Sequence, residues 1–259
     1  MKIKYHSHYN HFSKHAPQEG EPYINCYNDS YVTNDIEPNS IALLIEPRSI
    51  QPKIYDYMEK NWDKFRYIFT HDSKLLQLPN AKLIIWGGVY SYSDMSKDFD
   101  HPISMVASYK EESPVRIQRK NLALELKPKI DTYGTFDGGE FVDTKTIYGK
   151  YPFSVVIENY IDDYWLTEKI CNCFANHCIP IYYGARKIKD LFYGEGIIQC
   201  NSINEVRTAV DYILTHAYEE YFLRYLAVEK NFGVVKMYEK FEVWFFNKYG
   251  ELLEEMGES

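Results

Sequence analysis

Long apolar runs are missing from this sequence. No stretch approaches the ~20 apolar residues that a membrane-spanning helix requires, and the N-terminal MKIKYHSHYN lacks the apolar core of a secretory signal peptide. Cysteine is scarce too, because the 259 residues contain only five, an odd number in a chain too long to depend on a disulfide framework. We therefore expect a protein with no transmembrane segment, located in the reducing cytoplasm.

An excess of positive charge is also missing. The chain has 29 Lys and Arg against 37 Asp and Glu, a formal net charge of −8 at pH 7. Proteins that bind nucleic acid need a basic surface that displaces counterions from the phosphates, so nucleic acid is not an expected partner. The local cluster of Arg116, Arg119 and Lys120 is basic enough to hold one small phosphorylated ligand.

Several motifs of nucleotide and metal chemistry are absent. Neither G-x-x-x-x-G-K-[ST] nor G-x-G-x-x-G occurs, so ATPase and dinucleotide-cofactor functions have no motif support. The pair Asp162-Asp163 lacks the Asp-x-Asp spacing of a metal-binding motif, and capping of the following helix explains it. Cys171 and Cys173 point ~200° apart on a helix and cannot share one metal ion. We predict no metal site and no cofactor.

Short apolar runs alternate with segments of helical periodicity. The run Ile41–Ile45 ends at Glu46-Pro47, as in a buried parallel strand. A helix is predicted to follow it, whereas we assign no strand to the polar, Pro- and Asn-rich stretch before Asn39. The alternation predicts an α/β fold. We place a domain boundary in the polar segment that ends at Pro102.

The segment Phe153–Gly184 holds the densest group of residues that could bind a ligand. It is predicted to form a strand, a polar turn, a helix and a second strand, with Glu168 and Lys169 in the first helical turn. Amides at a helix N-terminus suit a phosphate group, a lysine there adds a full charge, and a glutamate can accept bonds from a ribose diol. The alternative is an ordinary amphipathic helix that binds nothing.

The same segment resembles the donor-binding motif of glycosyltransferase family 10, the α-1,3/4-fucosyltransferases. In that family, Glu-Asn follows a strand, Glu-Lys opens the next helix, and the following strand ends in Tyr-Gly. Here Glu158-Asn159, Glu168-Lys169 and IPIYYGA stand in that order at the family's spacing. The family has a tyrosine three residues before the Glu of Glu-Lys, and this position is Trp165 here.

Two upstream segments extend the resemblance. SYKEESPVR is similar to the family's Ser-Asn…Arg segment and aligns Arg116 with an arginine that contacts the donor pyrophosphate, although Tyr109 replaces the Asn. IDTYG is similar to an Asp-x-Tyr-Gly turn and gives Asp131, Tyr133 and Gly134. The resemblance covers about residues 103–200, and residues 1–100 match weakly.

The resemblance implies a GT-B type glycosyltransferase, an α/β fold in which two Rossmann-like domains face a central cleft. Residues 1–101 would form the acceptor-side domain and residues 102–239 the nucleotide-sugar-binding domain, with a C-terminal helix at 240–259 packing back on the first. The donor-binding residues that it implies are Arg116, Tyr133, Asn159, Trp165, Glu168 and Lys169.

A catalytic base is expected in the N-terminal half. In the family, a carboxylate just after a strand deprotonates the acceptor hydroxyl, and Glu46 in LLIEPRS fits that position best. A side chain at the carboxyl end of a parallel strand is also where a ligand site is expected on chemical grounds. The pair His71-Asp72 follows another predicted strand and is the alternative base.

The implied activity is an inverting single displacement. Fucose would pass from GDP-fucose to a hydroxyl of a glycan acceptor without a metal, because Arg116 and Lys169 neutralise the leaving diphosphate. Two alternatives stay open. The base-reading residues are not identifiable, so another GDP- or UDP-sugar could be the donor, and a catalytically inactive module that binds a nucleotide sugar or a glycan fits the same pattern.

Overall fold

The protein consists of two compact units. The computed structural model describes residues 1–93, 96–143 and 145–257. The first unit comprises Met1–Trp86 and the C-terminal segment from Lys240, and the second comprises Gly87–Glu239. Each unit contains a five-stranded parallel sheet. The predicted α/β class with two Rossmann-like sheets is therefore confirmed.

The sheet of the first unit has the strand order β1-β2-β3-β4-β5. Its strands are Lys2–His6 (β1), Tyr23–Asn28 (β2), Ser40–Leu43 (β3), Tyr67–Thr70 (β4) and Ala81–Leu83 (β5). Helix α1, Pro52–Asn61, connects β3 to β4 and begins with a proline, whose missing N–H is not needed in the first turn. Its buried Tyr55 and Met58 pack into a core with the side chains of β2, β3 and β4.

Helix α5, Phe241–Gly257, belongs to the first unit. The rings of Phe245 and Tyr249 lie 4.8 and 5.0 Å from the ring of Phe69 in β4, and the Tyr249 hydroxyl donates to the carbonyl of Leu83. These contacts are made by the helix predicted at 240–259, of which residues 258 and 259 lie outside the described part of the chain.

The sheet of the second unit has the order β10-β9-β8-β6-β7. Its strands are Ile103–Val106 (β6), Asp131–Tyr133 (β7), Phe153–Ile157 (β8), Ile179–Tyr183 (β9) and Ile198–Gln199 (β10). Its helices are Pro114–Leu126 (α2), Glu168–Ala175 (α3) and Ile203–Val235 (α4), the last kinked at His216. Because β8 lies between β6 and β9, the residues after Ile157 emerge in the middle of the sheet edge where α2 and α3 begin.

Strand β2 is a difference from the sequence prediction. Its segment YINCYN carries asparagines, which are unusual in strands, yet Asn25 and Asn28 are buried. Asn25 Oδ1 lies 3.0 Å from His6 Nε2, and Asn28 Nδ2 donates to the carbonyl of Leu43 at 2.9 Å. These hydrogen bonds to the two neighbouring strands, β1 and β3, compensate the burial of the amides.

The segment between residues 87 and 101 also differs from its predicted position. The sequence prediction places these residues in the N-terminal domain, whereas in the structure they belong to the second unit. The Tyr90 amide donates to Asn172 Oδ1 at 2.9 Å, and the part-buried ammonium of Lys97 donates to the carbonyls of Tyr148, Gly149 and Asn176. These hydrogen bonds hold the segment against α3 and the residues around it. The second unit therefore begins at Gly87, 15 residues before the predicted boundary at 102.

Within the described residues, no helix combines the length and the apolar character that crossing a membrane requires.

Candidate active site

A cavity of about 530 Å³ lies in the second unit. Its lining includes residues that follow β6 and β8 and residues in the first turns of α2 and α3. In a parallel sheet the carboxyl ends of strands and the N-termini of the following helices meet at one edge, which is where ligands bind. The lining side chains used below are Arg116, Arg119, Asn159, Glu168 and Lys169.

Helix α2 begins against the end of β8. Ser113 caps the helix, since its Oγ accepts from the Arg116 amide at 3.3 Å. The same hydroxyl donates to the carbonyl of Asn159 at 3.3 Å. Arg116 Nη1 donates to Glu112 at 2.7 Å, while its buried Nε has no hydrogen-bond partner among the described residues. An N–H of this arginine is thus still available for an anion.

Helix α3 is joined to the end of β8 by a buried carboxylate. Glu158 is fully buried, and it accepts hydrogen bonds from the Thr167 amide at 3.0 Å and the Thr167 hydroxyl at 2.8 Å. The Lys169 ammonium donates to Thr167 Oγ1 at 2.7 Å and lies 3.3 Å from Glu158 and 3.5 Å from Glu168. This network fixes the position of Lys169 on the cavity wall.

Arg119 lies one turn after Arg116 on α2 and is only 7% exposed. Its Nη1 donates to the Ile157 carbonyl at 3.0 Å and to Asn159 Oδ1 at 2.8 Å. Burial lowers the pKa of Arg119, but an arginine stays protonated at neutral pH because its ordinary pKa is above 12. Arg119 therefore adds a full positive charge to the lining of the cavity.

The cavity as a whole favours an anionic ligand. Four cationic side chains line it, and Glu168 is the one carboxylate among its described lining residues. The cations are Lys110, Arg116, Arg119 and Lys169. Charged groups in partly buried surroundings interact more strongly than in water. The arrangement is therefore suited to a group that carries more than one negative charge, such as a diphosphate.

Comparison with known proteins identifies the family. Residues 99–258 match the family model described as "Glycosyltransferase family 10 (fucosyltransferase) C-term". The chain belongs to glycosyltransferase family 10. It is a glycosyltransferase of the fucosyltransferase-like type, as the sequence motifs predicted. A sequence search among curated proteins gave no significant match.

Solved structures with a similar fold are also glycosyltransferases. An α1,3-fucosyltransferase with GDP shares 14% sequence identity, with 96% of this chain and 83% of that chain covered and a TM-score of 0.58. The pneumococcal O-GlcNAc transferase GtfA in complex with UDP and GlcNAc shares 12%, with 90% and 57% covered and a TM-score of 0.56. At these identities the likeness concerns the fold alone, and it supports the predicted GT-B class.

The structure brings four of the six predicted donor-site residues of this family 10 protein to the cavity. They are Arg116, Asn159, Glu168 and Lys169. Tyr133 and Trp165 are not among the lining residues described. The Tyr133 hydroxyl is hydrogen-bonded to the Tyr151 hydroxyl. The Trp165 side chain is buried in the core, with only 4% of its surface exposed. It is the backbone after Tyr133, at Gly134 and Thr135, that lines the cavity.

The predicted capping of α3 by Asp162 or Asp163 is wrong. Helix α3 begins at Glu168, and its first turn is tied to Glu158 instead. The two aspartates are ion-paired with Arg186, at 3.4 Å from Asp162 and 2.9 Å from Asp163. The connection between β8 and α3 spans residues 158–167, so the aspartates lie too far before the helix to reach its amides.

Glu46 lies in the first unit, three residues after β3, and its side chain is exposed. Its amide donates to Asp29 Oδ1 at 3.1 Å, as the Ile45 amide does at 2.8 Å. The Tyr55 hydroxyl donates to the Glu46 carbonyl at 2.6 Å. The backbone of this segment is thus held at three points, while the Glu46 carboxylate has no ion-pair partner in the described part of the chain.

His71 and Asp72, the alternative candidates for the catalytic base, have a different environment. Arg48 binds Asp72 through two hydrogen bonds of 2.8 Å. Burial alone would raise the pKa of Asp72, but the bonds from Arg48 and the Leu75 amide outweigh it and lower the pKa. His71 is 1% exposed, and its Nε2 lies 3.3 Å from the Tyr55 hydroxyl. A carboxylate held in this way is a poor proton acceptor, which favours Glu46.

Two residues of the site were not assigned from the sequence. Glu158 was recognised only as part of a motif, and Arg119 only as part of a basic cluster. The spacing of Arg116 and Arg119 was the available signal, because residues three apart share one face of a helix.

In the described residues no group of three or more His, Cys, Asp or Glu is arranged to hold a metal ion.

Proposed function

We propose that this protein transfers a sugar from a nucleoside-diphosphate sugar, with GDP-fucose as the first donor to test, to a hydroxyl of a glycan. The cavity that gathers Arg116, Lys169, Asn159 and Glu168 is the observation that carries the proposal. Its excess of cations matches a diphosphate, and fold neighbours with GDP and GDP-fucose add support for the guanine nucleotide.

The cations would act on the leaving group. As the bond between the sugar carbon and the diphosphate oxygen breaks, negative charge grows on the diphosphate and the sugar gains oxocarbenium character. The guanidinium of Arg116 and the ammonium of Lys169 would stabilise that charge. Glu168 would accept hydrogen bonds from the ribose diol. No metal or other cofactor enters this mechanism.

Glu46 would supply the base. An exposed carboxylate on a well-anchored backbone segment can accept the proton of the acceptor hydroxyl as the hydroxyl oxygen attacks the sugar carbon. General-base catalysis of this kind contributes typically ~10²–10⁴-fold to a rate. Attack from the face opposite the leaving diphosphate inverts the configuration at the sugar carbon.

A UDP-sugar is the second candidate donor. A fold neighbour is an O-GlcNAc transferase in complex with UDP and GlcNAc, and the cationic cavity itself does not distinguish the two bases.

The test is a thermal-unfolding screen with GDP, UDP, GDP-fucose and UDP-GlcNAc, followed by a transfer assay with glycan acceptors. A ligand that binds only the native state raises the unfolding temperature by mass action. The proposal expects a rise with GDP and GDP-fucose and release of GDP when an acceptor is added. A rise without turnover on any acceptor would indicate a binding module, and a rise with UDP alone would change the donor. No response to any nucleotide would contradict the proposal.

A further inference from the structure

Arg119 is a buried arginine that no carboxylate within ion-pair distance compensates in the described part of the chain. It is 7% exposed and lines the cavity. The nearby carboxylates of Glu158 and Glu168 are engaged by Lys169. Burying a charge without a paired counter-charge opposes folding. An anionic ligand in the cavity would supply the missing counter-charge, so this arrangement favours the binding of an anion.

The hydrogen bonds of Arg119 show which of its donors remain. A guanidinium has five N–H groups. The two on Nη1 donate to the Ile157 carbonyl and to Asn159 Oδ1. The Nε–H is buried without a partner among the described residues. None of the hydrogen bonds described for Arg119 uses Nη2. The Nε and Nη2 donors form the edge of the guanidinium that binds two oxygens of a phosphate side by side.

The bond to Asn159 has a second effect. Arginine can only donate, so the Asn159 atom that faces it must be the carbonyl oxygen Oδ1. The Nδ2 amide of Asn159 is therefore turned away from Arg119, with its N–H groups available for a ligand acceptor. Arg119 fixes the orientation of a residue that lines the same cavity.

We propose that Arg119 is a binding residue for the diphosphate of the donor, and that it also orients Asn159 as a hydrogen-bond donor to the same ligand. This inference rests on the proposed function, since it concerns the same cavity. It adds a second arginine to Arg116 and assigns a diphosphate-binding role to the pair.

The test compares three probes by calorimetry: GDP, guanosine and inorganic pyrophosphate. Arg119→Met removes the charge at similar side-chain length. We expect it to weaken the binding of GDP and of pyrophosphate by roughly 10- to 150-fold, the value of a charge-assisted hydrogen bond. Guanosine, which lacks the phosphates, should bind as before. Arg119→Lys keeps the charge but loses the two-pronged donor, and we expect an intermediate loss.

The matched control is Arg207→Met, which removes an arginine of the same unit that is bound to Glu125 on the surface. It should leave all three affinities unchanged. Circular dichroism establishes that each variant is folded, and if Arg119→Met does not fold, Arg119→Lys decides the question.

The outcomes separate the two proposals. Unchanged GDP and pyrophosphate affinity in a folded Arg119 variant would overturn the inference alone. An equal loss for guanosine would also overturn it, since the arginine would then be only structural. If the wild type binds pyrophosphate through Arg119 but no nucleotide, the proposed function fails and the anion site stands. A wild type that binds none of the probes would overturn the inference and the choice of a guanine nucleotide, and the absence of a response to UDP as well would overturn the proposed function.

Discussion

Glu158 and Thr167 are joined by two hydrogen bonds, one from the Thr167 amide to Oε1 at 3.0 Å and one from its hydroxyl to Oε2 at 2.8 Å. The pair connects the end of β8 to the residue before α3 across eight intervening residues. Since Lys169 donates to the same threonine hydroxyl, the position of its ammonium depends on this connection. The Glu of the Glu-Asn motif therefore acts on the proposed donor site by holding the turn that positions Lys169.

Replacing this carboxylate should affect both stability and binding. Glu158→Gln keeps the shape but replaces one carboxylate oxygen by an NH2 group that cannot accept, so one of the hydrogen bonds to Thr167 is lost and Lys169 has less compensation. We expect the free energy of unfolding to fall by roughly 1.5–3 kcal/mol, with weaker GDP binding. Urea unfolding and calorimetry measure the two effects. Glu219→Gln, at an exposed position on α4, is the control, and equal stability of the two variants would contradict this role.

Gly134 should be sensitive to a single methyl group. Its φ is +101°, and an added Cβ would collide with the Ala107 carbonyl oxygen on the neighbouring strand end. Gly138 has a similar φ of +89° but nothing within 4 Å of an added Cβ. Gly138→Ala therefore isolates the cost of a positive φ, about 1 kcal/mol.

Gly134→Ala should destabilise the protein by more than Gly138→Ala does, because the clash is with backbone. Gly134 also lines the cavity, so the backbone shift that relieves the clash should weaken GDP binding. Thermal unfolding and calorimetry of both variants provide the comparison. Similar losses for the two alanines would mean that the contact with Ala107 is easily relieved.

The central part of the second unit could be predicted from the sequence. The sequence predicts a helix at 114–126 and strands at 153–157 and 179–183, and α2, β8 and β9 have these bounds. Each is a run of one periodicity bordered by strong turn or cap signals, such as Ser113-Pro114 and Gly184. Strand β2 could not be predicted, because its asparagines are compensated by hydrogen bonds to residues far along the chain.

Part of the cavity lining in the second unit could also be predicted from the sequence. Glu168 and Lys169 follow from their place in the first turn of a helix. The assignment of Trp165 rested on the family's aromatic residue alone, and the sequence does not show which side of the turn a ring will face. The proposed role of Arg119 depends on the lack, among the described residues, of a carboxylate within ion-pair distance and not already paired, which is a property of the packed structure.

Asp29 should make stability depend on pH. Burial raises the pKa of Asp29 to about 7, whereas in the unfolded chain an aspartate titrates near ~3.9. Between these values the folded protein holds a proton that the unfolded chain has released. The resulting contribution to stability is present below about pH 4 and is lost as the pH rises through about 7.

Asp29→Asn removes this titration and keeps an oxygen for the amides of Ile45 and Glu46. Relative to the wild type, the variant should gain roughly 1–3 kcal/mol between pH 4 and pH 8. Thermal unfolding of both proteins across that range is the measurement. A stability difference that does not change with pH would show that Asp29 is ionised throughout in the folded protein.

Transfer should not require a divalent metal ion. The proposed mechanism uses Arg116, Arg119 and Lys169 as the cationic partners of the diphosphate. We expect the initial rate with excess EDTA to stay within about twofold of the untreated rate, a difference of only ~0.4 kcal/mol. Loss of turnover in EDTA that is restored by manganese or magnesium would contradict this mechanism.

Variants of Lys169 and Glu46 should separate donor binding from proton transfer. Lys169 lines the cavity, so Lys169→Ala should weaken GDP binding by about 10- to 150-fold and slow turnover as well. Glu46→Gln keeps the size of the side chain and removes the base. Its GDP affinity should therefore hold while turnover falls by about two orders of magnitude or more.

The two variants serve as controls for each other. Lys169→Ala should lower both GDP affinity and turnover, whereas Glu46→Gln should lower turnover alone. Calorimetric GDP affinity and initial transfer rate are determined for both, with circular dichroism to confirm folding, since Lys169 also contacts Glu158. Normal GDP binding by Lys169→Ala would mean that the diphosphate lies elsewhere in the cavity. Near-normal turnover of Glu46→Gln would remove Glu46 as the base. Attention would then turn to His71, because the Asp72 carboxylate is already held by both hydrogen bonds from Arg48.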